Sequence, residues 1–130
     1  MCPDPTRPSD GELAILSVLW RRGPSTVRDV HTELARERDL GYTTVLKLMQ
    51  IMADKGLVTR DASAMTHVYR AARDQEPTQA FLVQDLVRRA FAGSAKDLMV
   101  RALESHAASG EELDEIQRLL DAARRKAEAP

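Results

Sequence analysis

Along most of this chain apolar residues recur at the three-and-four spacing of amphipathic helices, and in one place only does the spacing shorten to alternation. The first helical stretch buries Leu13, Leu16, Leu19 and Trp20; it follows Ser9-Asp10-Gly11-Glu12, a capping-box pattern, and stops at Gly23-Pro24. A second, capped by Ser25 or Thr26 and running to about Arg38, turns Val27, Val30, Leu34 and Ala35 inward. After the short connection Asp39-Leu40-Gly41 a third helix places Val45, Leu48, Met49 and Met52 on one face and ends at Gly56, a suitable C′ residue. Leu57 to Arg60 and Thr66 to Arg70 then read as two short strands around the turn Asp61 to Met65. Beyond a polar linker, Ala72 to Pro77, the helical period returns three times. Its apolar positions are Phe81, Leu82, Leu86, Ala90 and Phe91, then Ala95, Leu98, Met99, Ala102 and Leu103 after Gly93-Ser94. The last set, Leu113, Ile116, Leu119, Leu120 and Ala123, follows a second capping box, Ser109 to Glu112.

This order predicts a mostly α fold with a small β wing. An N-terminal winged helix-turn-helix occupies residues 9–73, after a loose tail over Met1 to Pro8, and a C-terminal three-helix dimerisation segment occupies residues 74–130. A segment of roughly 50 residues seldom buries enough apolar area to be stable alone. Either it packs back on the N-terminal domain, or two copies pair through it; the short polar linker favours pairing. The expected interface comprises Phe81, Leu82, Leu86, Phe91, Leu98, Leu103, Leu113, Ile116 and Leu120.

The third helix carries the chemistry. Opposite its apolar face stand Thr43, Lys47 and Gln50, with Thr44 nearby. Hydroxyls and a lysine suit phosphates; lysine and glutamine suit base edges in the major groove. The wing adds Arg60, Arg70 and His67 as phosphate donors, each with a solvated surface role as the alternative. Trp20 continues an apolar face and is a core anchor rather than a stacking platform. His31 lies beside the inward stripe of the second helix with no second ligand one turn away, so no metal site is expected.

Charge neither demands nor forbids DNA. The 130 residues carry a formal charge of −1, far from the basic balance of a protein held on DNA by electrostatics alone. Between Gly41 and Arg73, however, five cations face two acids, a local +3. Aromatic residues at 4% are too few for single-strand stacking. The single cysteine, Cys2, cannot form an internal disulfide, and no apolar run approaches the roughly 18 residues that span a bilayer, so a cytoplasmic setting is expected. His31, His67 and His106 sit on separate elements and no phosphate-cradling glycine loop occurs, which argues against an enzyme, a cofactor or a small-molecule substrate. A winged helix serving only as a protein-interaction module remains the competing class.

Tyr42-Thr43-Thr44-Val45, Asp54-Lys55-Gly56-Leu57-Val58 and His67-Val68-Tyr69-Arg70-Ala71 together resemble the penicillinase-repressor (BlaI/MecI/CopY) family. Gly23 to Val30 and Phe91-Ala92-Gly93-Ser94 look like further landmarks of that family. The resemblance implies a homodimeric repressor on a palindromic operator in double-stranded DNA. The DNA-contacting candidates are then Thr26, Tyr42, Thr43, Thr44, Lys47, Gln50, Lys55, Arg60, His67 and Arg70. It also implies release by a membrane-bound sensor-protease pathway that cuts the second tail helix. This chain departs from the family in three respects. Lys47 and Ile51 stand where many members carry threonine and arginine; the cysteine-rich copper motif is absent; and Arg101-Ala102 replaces the Asn-Phe cleavage pair of the antibiotic-responsive members.

Overall fold

Helix α1 begins where Ser9 and Glu12 cap each other. In the computed structural model, which describes residues 7–63 and 65–130, α1 spans Asp10–Arg22. The Glu12 N–H donates to the Ser9 hydroxyl at 3.3 Å and the Ser9 N–H donates to the Glu12 carboxylate at 2.9 Å, satisfying two first-turn donors at once. Helix α2, Val27–Leu34, repeats the device with Thr26 and Asp29, both bonds at 3.1 Å. Helix α3, Tyr42–Lys55, ends on Gly56 at φ 81°, the left-handed turn that lets the Leu57 N–H reach back to the Met52 carbonyl at 2.9 Å. Gly11 shows how closely α1 approaches α3: a β-carbon there would lie 3.1 Å from Leu48 Cδ1, so any larger residue would press that leucine back by a few tenths of an ångström.

Strands β1, Val58–Asp61, and β2, Val68–Ala71, pair antiparallel with Arg60 opposite Tyr69. Ser25 then pairs with Tyr69 on the other side of β2, through N–H···O bonds of 3.0 and 2.8 Å. The wing is thereby tied to the segment that caps α2. Ile15, Leu16, Val30, Val45, Met49, Met52, Leu57 and Tyr69 close the core between α1, α2, α3 and the wing. Trp20 packs against it half-buried, and its indole N–H donates to the Arg73 carbonyl at 2.9 Å.

Several boundaries differ from the sequence reading. Helix α2 stops at Leu34 instead of about Arg38, because Arg36 and Glu37 turn back to Glu33 and Leu34 in i→i+3 bonds. Ala35 is consequently exposed rather than inward. Both strands begin later than expected, since Leu57 serves as the buried closure after α3 and Thr66 and His67 belong to the loop before β2. Helix α4 spans Gln75–Ala90, so Pro77 sits within its first turn. Of the tail expected over Met1 to Pro8, residues 1–6 and with them Cys2 lie outside the described residues; Pro8 is buried. Ala64 in the wing turn also lies outside them.

The backbone divides into two compact units, Met1–Phe81 and Leu82–Pro130. In the second, Ala92 and Gly93 both adopt positive φ and break α4 from α5, Ala95–Ser105, which Ser94 caps through the Asp97 N–H. Helix α6, Gly110–Glu128, starts from the Ser109 hydroxyl, which accepts from Glu112 N–H at 3.1 Å. Neither α5 nor α6 buries a single residue. Leu82, Phe91, Leu98 and Ile116 are half-buried, while Leu86, Leu103, Leu113 and Leu120 are exposed.

Candidate nucleic-acid interface

Helix α3 is amphipathic in a way that fixes its polar side outward. Val45, Met49 and Met52 are fully buried, and this anchoring leaves Tyr42, Thr43, Thr44, Lys47 and Gln50 exposed. No side chain caps its N-terminus at Gly41, so the first-turn N–H groups stay available to an anion and the positive end of the helix dipole is uncovered. The His31 ring meets the Tyr42 ring edge-on, centroids 5.9 Å apart at 84°, which steadies the first residue of α3 against α2.

A groove of about 650 Å³ opens between the start of α2, the side of α3 and the wing. Thr26 and Arg28 form one wall, Tyr42, Leu46 and Gln50 the floor, and Arg60, Met65, Thr66 and His67 the other wall. Of the residues singled out in the sequence, Thr26, Tyr42, Gln50, Arg60 and His67 therefore meet in one place. Thr43, Thr44 and Lys47 stand exposed on α3 without lining the groove itself. The Thr26 hydroxyl accepts the cap bond from Asp29, which still leaves its O–H to donate outward.

Two candidates go elsewhere. The Lys55 ammonium lies 3.1 Å from both carboxylate oxygens of Glu12, a side chain only 2% exposed. Burial pushes the Glu12 carboxyl up, but the Ser9 amide, the Lys55 ammonium and the Ser9 hydroxyl more than offset it and hold the group below its ordinary value. Arg70 is displaced by strand alternation: Arg60 and its cross-strand partner Tyr69 share the groove side, so Arg70 takes the opposite face and lines a separate hollow with Trp20 and Pro24.

Arg28 was not singled out by its spacing, yet it sits two residues past the Thr26 cap in the groove wall. A cation directly after a cap is the signal that would have found it. Arg28, Lys47 and Arg60 make no ion pair among the described residues, whereas Arg22 on α1 is held by Asp29 and Glu33 at 3.4 and 3.6 Å. Asp29 itself is held below the ordinary carboxylate value, mainly by the Thr26 N–H. In the wing Asp61 is lowered by the Ser63 hydroxyl and amide, with Arg70 adding to the effect. Among the described residues the face thus offers three cations without an ion pair, several hydroxyls, an amide and an open helix start. That is a donor-rich surface fitted to phosphates and base edges.

No helix among the described residues is long and apolar enough to cross a membrane, and no three His, Cys, Asp or Glu side chains gather there as a metal site. The penicillinase repressor family model matches residues 8–122. The chain is 36% identical over 117 residues to the transcriptional regulator BlaI of Mycobacterium tuberculosis, covering 88% of this chain and 83% of that protein. It is 22% identical over 113 residues to the penicillinase repressor of Bacillus licheniformis, covering 87% and 88%. Against the methicillin resistance regulatory protein MecI of Mammaliicoccus sciuri the identity is 17% over 113 residues, covering 87% and 92%. The winged helix-turn-helix, its unpaired cationic face and these matches converge: the chain belongs to the penicillinase-repressor (BlaI/MecI) family of DNA-binding transcriptional repressors, which are not enzymes.

Proposed function

We propose that this repressor works in the cytoplasm as a homodimer whose two α3 helices read the half-sites of a palindromic operator. The observation that carries the pairing is the second unit: Leu82–Pro130 has three helical segments and no buried apolar side chain. Exposed leucines at helical spacing on all three need a partner surface, and a second copy supplies one with the two-fold symmetry that a palindrome repeats. Thr43, Thr44, Lys47 and Gln50 then address the major groove, while Thr26, Tyr42, Arg28, Arg60 and His67 hold the phosphates on either side. Lys55 serves the fold through Glu12 and Arg70 lies off the groove.

Arg101 and Ala102 lie inside α5, and the Arg101 guanidinium bonds Glu104 at 2.6 Å. A sensor-protease that selects an aromatic residue after the cut finds alanine here, so the antibiotic-directed route fits this chain poorly. Release runs through a membrane sensor-protease of different selectivity or through another signal. Genome-wide binding-site mapping, followed by titration of the recovered duplex at several salt concentrations, tests the proposal. The expected result is a palindrome bound far more tightly than its half-site, with log affinity falling linearly against log salt. Equal affinity for half-site and palindrome, or binding indifferent to salt, refutes it.

A further inference from the structure

Helix α6 carries two patterns that fit together only in one arrangement. Leu113, Ile116, Leu120 and Ala123 recur at alternating spacings of three and four, the a and d positions of a heptad. Leu113 and Leu120 are each 45% exposed, so much of this seam is uncovered within the chain. Along its flank, at successive g positions, stand Glu112, Leu119 and Lys126, with Leu119 the most exposed leucine at 68%. Charge is also segregated by end: Glu111, Glu112, Asp114 and Glu115 crowd the first turns, Arg124, Arg125 and Lys126 the last.

We infer that α6 pairs antiparallel with α6 of a second copy, about a two-fold axis beside Arg118 and Leu119; this rests on the homodimer proposed above. In that register Leu113 faces the partner's Ala123, Ile116 faces the partner's Leu120, and Leu119 meets the partner's Leu119 on the axis. Glu112 then lies opposite the partner's Lys126, and symmetry supplies the pair twice. A parallel pairing would set four acids against four at one end and three cations against three at the other, and would leave Leu119 beside the partner's Arg124. Like charges so placed oppose association and opposite charges favour it. The segregated charges also suit the helix's own dipole, but the dipole alone gives no reason for a g row whose charges complement each other, about a central leucine, when the row is reversed.

The test uses the full chain with Cys2→Ser as background. Under mild oxidation Leu119→Cys should cross-link to a covalent dimer, while Leu113→Cys, which the antiparallel register holds about 15 Å from its symmetry mate along the axis, should not. Charge reversal gives a second readout: Glu112→Lys should weaken dimerisation roughly three- to tenfold, and adding Lys126→Glu should restore it. Cross-linking of Leu113→Cys but not Leu119→Cys overturns the inference in favour of a parallel pair. If neither cross-links while sedimentation shows a dimer, α6 does not form the two-fold contact. A wild-type monomer at micromolar concentration would instead sink the homodimer itself.

Discussion

Replacing Lys55 by Met separates two roles open to this lysine, one on DNA and one inside the fold. The substitution keeps an unbranched apolar stem and removes only the ammonium. Glu12, 2% exposed, is then left with the Ser9 N–H at 2.9 Å and no cation. Breaking a fully buried pair by removing one partner costs about 3–5 kcal/mol. Here Lys55 is 35% exposed and the amide bond remains, so the expected loss is about 1–3 kcal/mol. For a small domain that lowers the melting temperature by roughly 5–15 °C. Glu12→Gln on the Lys55→Met background should recover much of this, because a neutral amide oxygen still accepts from Ser9 without a buried charge. The pH dependence follows from the lowered Glu12 carboxyl. A group whose folded value lies below its unfolded one stabilises fully above the unfolded value, about 4.3, and loses that contribution as pH falls through the folded value. The wild type should therefore lose stability in that acid window and Glu12→Gln should lose less. Circular-dichroism melts of the four proteins at pH 7 and across the acid range measure both effects. The reasoning fails if Lys55→Met melts within a degree of wild type at pH 7 while its salt slope on duplex DNA drops by about one, for the ammonium would then belong to a phosphate.

Lys47→Ala and Gln50→Ala should each weaken the mapped operator by about 1–3 kcal/mol while leaving melting unchanged; wild-type affinity in both would remove α3 as the reader. Arg28→Ala and Arg60→Ala should weaken all duplexes alike and each reduce the salt slope by about one, whereas Arg70→Ala should change neither, as fluorescence anisotropy against salt will show. Leu86→Asp, at a position 47% exposed in the single chain, should leave the chain folded but place an unpaired charge in the dimer core at a cost of several kcal/mol. Sedimentation should then find a monomer.

What was legible in the sequence is what neighbouring residues decide among themselves. Ser9 with Glu12, the Ser25–Thr26 pair, Gly56 and Ser109 are local signals, and each marks a boundary of an element where the structure has one. The α3 stripe is equally local, and its outward face follows from it. What the sequence hides lies at long range. Nothing near Lys55 announces Glu12, 43 residues away, so the sequence offers this cation at the end of α3 only a DNA contact. Arg70 stands off the groove because alternation sets it opposite Tyr69, and which face of β2 meets the groove depends on its pairing with β1 and Ser25, which nothing beside Arg70 announces. Tyr69 looked like an ordinary strand residue; its burial depends on Ser25 joining β2 from another part of the chain. Arg28 was hidden by the inward stripe around it, since periodicity ranks apolar positions and is silent about which polar ones face a groove.

The Ser25–Tyr69 bridge fixes more than a core residue. One residue, Ser25, is hydrogen-bonded on both its N–H and its carbonyl to Tyr69 of β2, the strand that pairs with Arg60 of one wall, and the next residue, Thr26, begins the other wall. Drawing the start of α2 away from β2 would break two backbone bonds, so the backbones that carry Arg28 and Arg60 keep a set spacing. On the proposal that this groove grips DNA, a duplex that does not match that spacing would have to deform to enter it, at a cost that varies with the stiffness of its base steps. Operator positions that no side chain touches should then influence affinity through their flexibility, with pliable pyrimidine–purine steps favoured where the duplex must yield.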